Sequence, residues 1–96
     1  MSTITKKELI DRIAKSTQTS GVVVKPIIRS FLDKIVIELT EGNRLEFRGF
    51  GVFETKRRAA RKAQNPKTLE KVQVPAKRTV KFKTGRLMKQ KLNGQL

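Results

Sequence analysis

The sequence predicts an α+β fold: two N-terminal helices, a three-stranded antiparallel sheet extended into a long β-ribbon arm, and a short C-terminal helix. Three observations lead there. Apolar residues recur at helical spacing through the first part of the chain, and from Arg44 they alternate with polar ones. The stretch "RRAARKAQNPKTLEK", residues 57–71, contains one large apolar side chain, Leu69, and has no core of its own to join. Charge is lopsided as well. Residues 1–54 hold nine Lys/Arg against seven Asp/Glu, whereas residues 55–96 hold fourteen against one, Glu70.

Helix one opens on a capping box in "TKKELIDRIAKS". Thr5 can accept from the backbone of Glu8, whose side chain can reach back to Thr5. Leu9, Ile10, Ile13 and Ala14 then form a short apolar stripe ending near Lys15. The polar run "STQTSG" interrupts it, and Ser20 is suited to cap a longer second helix. That helix has Val24, Ile28, Phe31, Leu32, Ile35 and Leu39 on one face. Gly42, in "EGN", supplies a left-handed stop. Pro26 lies beyond the first turn, where its ring opposes the carbonyl of Val22, so the helix is expected to start later than Ser20 or to bend.

In "RLEFRGFGVFETK", Leu45 and Phe47 alternate with Glu46 and Arg48, and two strands joined by a Gly49-Phe50-Gly51 turn follow. The second strand runs into the basic arm. Asn65-Pro66 marks its tip as a turn, and "EKVQV" reads as its return. Pro75 lacks a donor, so the return path should be an edge there. "KRTVKFKTG", with Val80 and Phe82 between cations, reads as a third core strand. Thr84 is then placed to cap a last helix containing Leu87, Met88 and Leu92. Four of the five phenylalanines (31, 47, 50, 53, 82) alternate with polar residues or flank glycine, as core residues do.

The composition excludes several classes. A net charge of +15, concentrated in the second half, favours a polyanionic partner. With no cysteine there is no disulfide framework or thiolate site, which suits a reducing cytosol. With no histidine, the commonest general base and metal ligand is missing. No paired carboxylates, metal-spaced ligands or Gly-rich phosphate loop are present, so no enzyme, catalytic residue, metal, cofactor or small-molecule substrate is expected. "MSTITKKELIDRIA" lacks the apolar run of a signal peptide, and no segment approaches the roughly 18 apolar residues of a membrane span. A membrane partner is not expected.

The order helix, helix, "EFRGFGVFE", a basic arm with "NPKT", and "VKFKTG" before a basic helix resembles the HU and integration host factor family across essentially the whole chain. Members are bacterial histone-like proteins that bend DNA by way of the minor groove. The resemblance implies an intertwined dimer: a homodimer, or a heterodimer with a paralogue. It also implies one HU/IHF-like domain over residues 1–96. Residues 1–43 would be the helical dimerisation base, 44–83 the sheet with its arm at about 56–74, and 84–96 the last helix. Pro66 would be the intercalating tip residue, with Asn65 beside it. Arg58 and Arg61 would follow the minor groove, and Lys83, Arg86 and Lys89 would contact phosphate. Lys6, Arg57, Lys62, Lys67, Lys71, Lys77, Arg78 and Lys81 complete the DNA-binding set. The family tip reads Arg-Asn-Pro and then, after two intervening residues, Gly; here Gln64 and Leu69 stand in place of the Arg and the Gly.

Physical reasoning supports the same partner. A two-stranded ribbon without a core is marginal alone. Double-stranded DNA offers phosphates for its cations and a groove to lie in, and a proline is a rigid apolar wedge with no donor to desolvate. The expected function is therefore architectural: binding and bending duplex DNA, mostly without sequence specificity, in the nucleoid of the cytoplasm. An RNA-binding protein using the same arm is one alternative, although the A-form grooves suit a groove-following ribbon less well. A structural module using the long helix for a protein partner is the other.

Overall fold

A computed structural model of the chain describes residues 1–94. Backbone proximity divides it into two compact units, Met1–Ile37 and Glu38–Leu96.

In the first unit, α1 spans Lys6–Ser16 and is capped by Thr5, whose Oγ1 accepts from the Glu8 backbone N–H at 3.3 Å. Glu8's carboxylate turns forward to Arg12 at 2.7 Å, so only half of the expected capping box forms. Ile10 is buried, while Leu9, also on the expected stripe, is 49% exposed. Helix α2, Gly21–Thr40, begins directly after Ser20, whose Oγ accepts from Val22 N–H at 3.2 Å. Pro26 lies inside it, so a later start is excluded. Only the rung to Val22's carbonyl is forfeited, and the capped first turn and the rungs beyond carry the helix through.

The second unit starts with the end of α2. Gly42, at φ +86°, donates to Leu39 O, and Asn43 N–H donates to Glu38 O, both at 3.0 Å. This is the Schellman closure that a left-handed glycine permits. Strand β1 covers Leu45–Phe47 and β2 Gly51–Arg58. Between them Phe50 N–H donates to Phe47 O at 2.9 Å with Gly49 at φ +82°, the geometry of a type II turn, which needs glycine at its third position. The expected strands are therefore present, with Gly51 already in β2. Strand β3 is Arg61–Gln64, β4 Lys71–Val74 and β5 Lys77–Thr84. The sheet order is β1-β2-β5, all antiparallel, and β3 pairs with β4 in a separate two-stranded ribbon.

Phe53 sits opposite Phe82 in the β2–β5 register, with ring centroids 4.8 Å apart. Phe47 and Phe50 extend this into a cluster of four rings. Helix α3, Arg86–Asn93, follows immediately. Its cap is Gly85, which makes no side-chain capping bond, so Thr84 does not take the capping role expected of it. Thr84 is instead the last rung of β5, opposite Gly51. Gly85 N–H donates to Phe50 O at 2.8 Å, and a Cβ there would lie 2.8 Å from Phe50's carbonyl carbon. The close approach of two backbones selects glycine and leaves the helix without a hydroxyl cap.

Burial along α2 is uneven in the single chain, and the expectation of a third core strand is corrected. On α2, Val24 is buried and Ile28 and Ile35 are half-buried, but Phe31 and Leu32 remain 51% and 39% exposed in the single chain. Strand β5 is a strand of the sheet without being a core strand of the single chain, since Val80 is 56% and Phe82 38% exposed. Both faces carry apolar surface that one copy of the chain does not cover.

The tightest glycine is Gly51, where a Cβ would stand 2.5 Å from the Phe82 ring and 2.6 Å from Lys83 O. Gly51→Ala is expected to cost about 2 kcal/mol or more through overpacking. Gly42→Ala meets no neighbouring atom within 4 Å and should lose only about 1 kcal/mol to its left-handed backbone. Urea unfolding of the two variants beside the parent tests the order.

Candidate nucleic-acid interface

Alternation along a strand sorts the β2–β5 side chains onto two faces. One face carries Phe53, Thr55 and Arg57 opposite Phe82, Val80 and Arg78. The other carries Val52, Glu54, Lys56 and Arg58 opposite Lys83, Lys81, Thr79 and Lys77. The second face is thus a field of five cations with one carboxylate. Glu54 sits among them, 3.3 Å from Lys83 Nζ and 3.8 Å from Arg44 Nε. Lys81, acting through a side-chain hydrogen bond and its like charge, holds Lys56 below the ordinary lysine value. Lys83 adds to the repulsion and Glu54 partly opposes it. An anion laid over this face would relieve that repulsion.

Arg78, expected among the binding cations, lies on the aromatic face. Its Nη1 donates to the carbonyl of Thr40 at 2.8 Å, and Thr55 Oγ1 donates to Leu39 O at 3.0 Å. Together they cap the C-terminal end of α2, where orphan carbonyls and the helix dipole favour a cation. Arg57, opposite Arg78, is exposed on the same face.

Beyond Arg58 and Lys77 the ladder stops at Ala59-Ala60 on one strand and Pro75-Ala76 on the other, then resumes as β3–β4. Pro75 therefore falls at an interruption, where its missing donor leaves no rung broken. In the outer ribbon Lys62 pairs with Gln73 and Gln64 with Lys71, one face of polar and cationic side chains. Arg61 and Ala63, opposite Val74 and Val72, form the other.

At the tip Asn65 N–H donates to Glu70 O at 2.8 Å, and Leu69 N–H donates to Asn65 O at 2.7 Å. Asn65 Oδ1 accepts from Lys67 N–H at 3.0 Å, so Asn65 organises the turn as an Asx residue does. Pro66 and Lys67 stand exposed at the apex. Leu69 takes the position expected of glycine and adopts φ +62°. On α3, Arg86 and Lys89 lie three residues apart and share a helix face. Lys6 is the first residue of α1, in the other unit.

Lys56 was absent from the residues singled out in the sequence. The alternation Glu54, Lys56, Arg58 places it on the cationic face and was available as a signal. Among the described residues no cluster of three His, Cys, Asp or Glu could hold a metal, and no helix is long and apolar enough to cross a membrane.

A short sheet with one cationic face, continued by a charged ribbon that has no interior, defines a nucleic-acid-binding protein of the β-arm class. Comparison with known proteins agrees. The family model for bacterial DNA-binding proteins matches residues 4–93. The DNA-binding protein HU of Thermotoga maritima is 40% identical over 89 residues, 93% of this chain and 99% of that one. The integration host factor subunit beta of Marinobacter nauticus is 40% identical over 94 residues, 97% of this chain and 96% of that one. Among solved structures, an HU–DNA cocrystal from Anabaena superposes with TM-score 0.82 at 32% identity, covering 93% of this chain and 97% of that one. HU from Thermotoga maritima superposes with TM-score 0.65 at 30% identity, covering 93% and 98%. The chain belongs to the HU and integration host factor family of bacterial DNA-binding proteins, a non-enzymatic family.

The position of Arg78 separates bracing from binding. Arg78→Ala is expected to lower unfolding stability by about 1 kcal/mol, the scale of a hydrogen bond with a charged donor at a partly solvated site. Lys77→Ala, on the open cationic face, should stay within about 0.5 kcal/mol of the parent in the same urea titration.

Proposed function

We propose that the chain acts as an architectural protein of the bacterial nucleoid, in the cytoplasm, binding the minor groove of duplex DNA and bending it. One observation carries the reading. Five cations of β2 and β5, Lys56, Arg58, Lys77, Lys81 and Lys83, share a face, and the chain continues beyond them as the β3–β4 ribbon to a tip bearing Pro66. Lys56, Arg58, Lys77, Lys81 and Lys83 would lie against phosphates beneath the bent duplex, with Arg86 and Lys89 beside them. Lys62, Lys71 and Lys67 would follow the backbone along the arm, and Arg61 the groove. Asn65 would hold the apex, and Pro66 would enter a base step. The names of the relatives, and a cocrystal of one of them with DNA, support duplex DNA over RNA.

The working unit is a dimer. Phe31 and Val36 on α2 are 51% and 62% exposed, and Phe50, Val80 and Phe82 on the sheet side are 49%, 56% and 38% exposed. A chain that, among the described residues, buries only Ile10, Val24 and Leu39 of its large apolar side chains gains most of its interior from a second copy. Residues 1–43 would form the dimer's base, with the arm at about 56–74. The thermal midpoint is therefore expected to rise with protein concentration. A midpoint independent of concentration down to dilute protein would show a stable monomer.

Bending is tested at Pro66. Pro66→Ala keeps the arm's charge but removes the ring and restores an N–H that the opened step cannot satisfy. Energy transfer between the ends of a short duplex at saturating protein should show a smaller bend for the variant. Affinity for intact duplex and its salt slope, about −0.9 per neutralised phosphate, should change little. Equal bending by both proteins would make Pro66 a turn residue only.

A further inference from the structure

We infer that Leu69 is a second apolar wedge of the arm tip, contacting base and sugar surface at an opened step beside Pro66. The inference rests on the proposed DNA-bending role and specifies which side chains meet the DNA.

The argument begins with strain. Leu69 adopts φ +62°, a left-handed backbone that costs a residue with a Cβ roughly 1 kcal/mol and a glycine nothing. The conformation is nonetheless well held. Leu69 N–H donates to Asn65 O at 2.7 Å, and Leu69 O accepts from Gln64 Nε2 at 3.2 Å. The hairpin is closed outside them by Asn65 N–H on Glu70 O. Gln64 therefore spends its side-chain donor on fixing Leu69, where a cation could have reached a phosphate.

Nothing inside the fold explains the leucine. Its side chain is 69% exposed and belongs to no buried cluster. It is the only large apolar side chain in residues 57–71, three positions from Pro66 on the same turn. An exposed leucine on a strained backbone lowers the stability of the isolated hairpin and adds an apolar surface at its apex. Lys62, Lys67 and Lys71 flank that apex with positive charge, so a polyanion is the partner that the surroundings admit. Duplex DNA is a polyanion whose apolar surface becomes accessible where a step is unstacked, and leucine is among the residues that fill such steps. A nick or gap exposes that surface in advance, so Leu69 should contribute most there.

The test uses full-length protein and end-labelled short duplexes, intact or carrying a single nick. Leu69→Gly relieves the strain, keeps every charge and removes only the side chain. It should bind intact duplex within about twofold of the parent. Its preference for nicked over intact duplex should fall roughly five- to tenfold, the scale of losing a partly buried leucine. Leu69→Met should restore most of that preference, because it returns an apolar side chain of similar volume. Pro66→Ala is measured in parallel. If Leu69→Gly keeps or improves the preference while Pro66→Ala loses it, the second wedge is overturned and the bending role stands. If neither variant alters preference or bend, both are overturned. If Leu69→Gly loses affinity equally for both duplexes and Leu69→Met fails to rescue, Leu69 acts through turn geometry alone, and the inference is overturned.

Discussion

The eight-rung pairing of β2 with β5, from Gly51↔Thr84 to Arg58↔Lys77, is the interaction on which the second unit depends. Its register decides everything about sidedness. Phe53 meets Phe82 directly, which gathers the aromatic cluster on one face. Lys56, Arg58, Lys77, Lys81 and Lys83 are thereby brought together on the other. A slip of one residue in either strand would interleave rings with ammonium groups and abolish both faces. The Gly51 and Gly85 contacts hold the inner end of the ladder, since a Cβ at either position would collide with a neighbouring backbone or ring.

Cations gathered on one side of a sheet repel one another, and the molecule contains this repulsion only in part. Glu54 is the carboxylate that β2 contributes to that face, Glu46 of β1 adds another opposite Val52, and Lys56 is held below the ordinary lysine value by Lys81. Arg78 shows a different solution. It is turned to the opposite face and used on the carbonyl of Thr40, so a residue that reads as a phosphate contact in the sequence braces the end of α2. Residual repulsion of this kind is relieved by an external anion, which links the field on the sheet to its partner.

The arm inverts the usual relation between burial and stability. Its ladder is interrupted on both strands at the same level, its polar face holds Lys62, Gln64, Lys71 and Gln73, and its tip is kept by backbone and side-chain hydrogen bonds alone. Such a hairpin is shaped locally but stabilised weakly, which leaves its final order to what it binds. Helix α2 and strand β5 likewise leave apolar residues exposed in the single chain.

Much of this was legible in the sequence, because local chemistry decides it. Thr5 and Ser20 as helix starts, Gly42 as a stop, the period change at Arg44 and the arm's apex at Asn65-Pro66 depend on neighbours a few residues away. The gathering of fourteen cations after Thr55 needed only counting, and the family followed from the motif order. The remainder depended on contacts between distant positions. Thr84 carries the hydroxyl a cap wants, yet the approach of Phe50's backbone assigned that place to Gly85. Arg78 and Lys56 fall on opposite faces of the sheet because strand register, which local sequence does not specify, set the face of each. Leu69 shows the limit most clearly. No local preference puts leucine at φ +62°, and the bonds from Asn65 and Gln64 that hold it there exist only once the hairpin has closed.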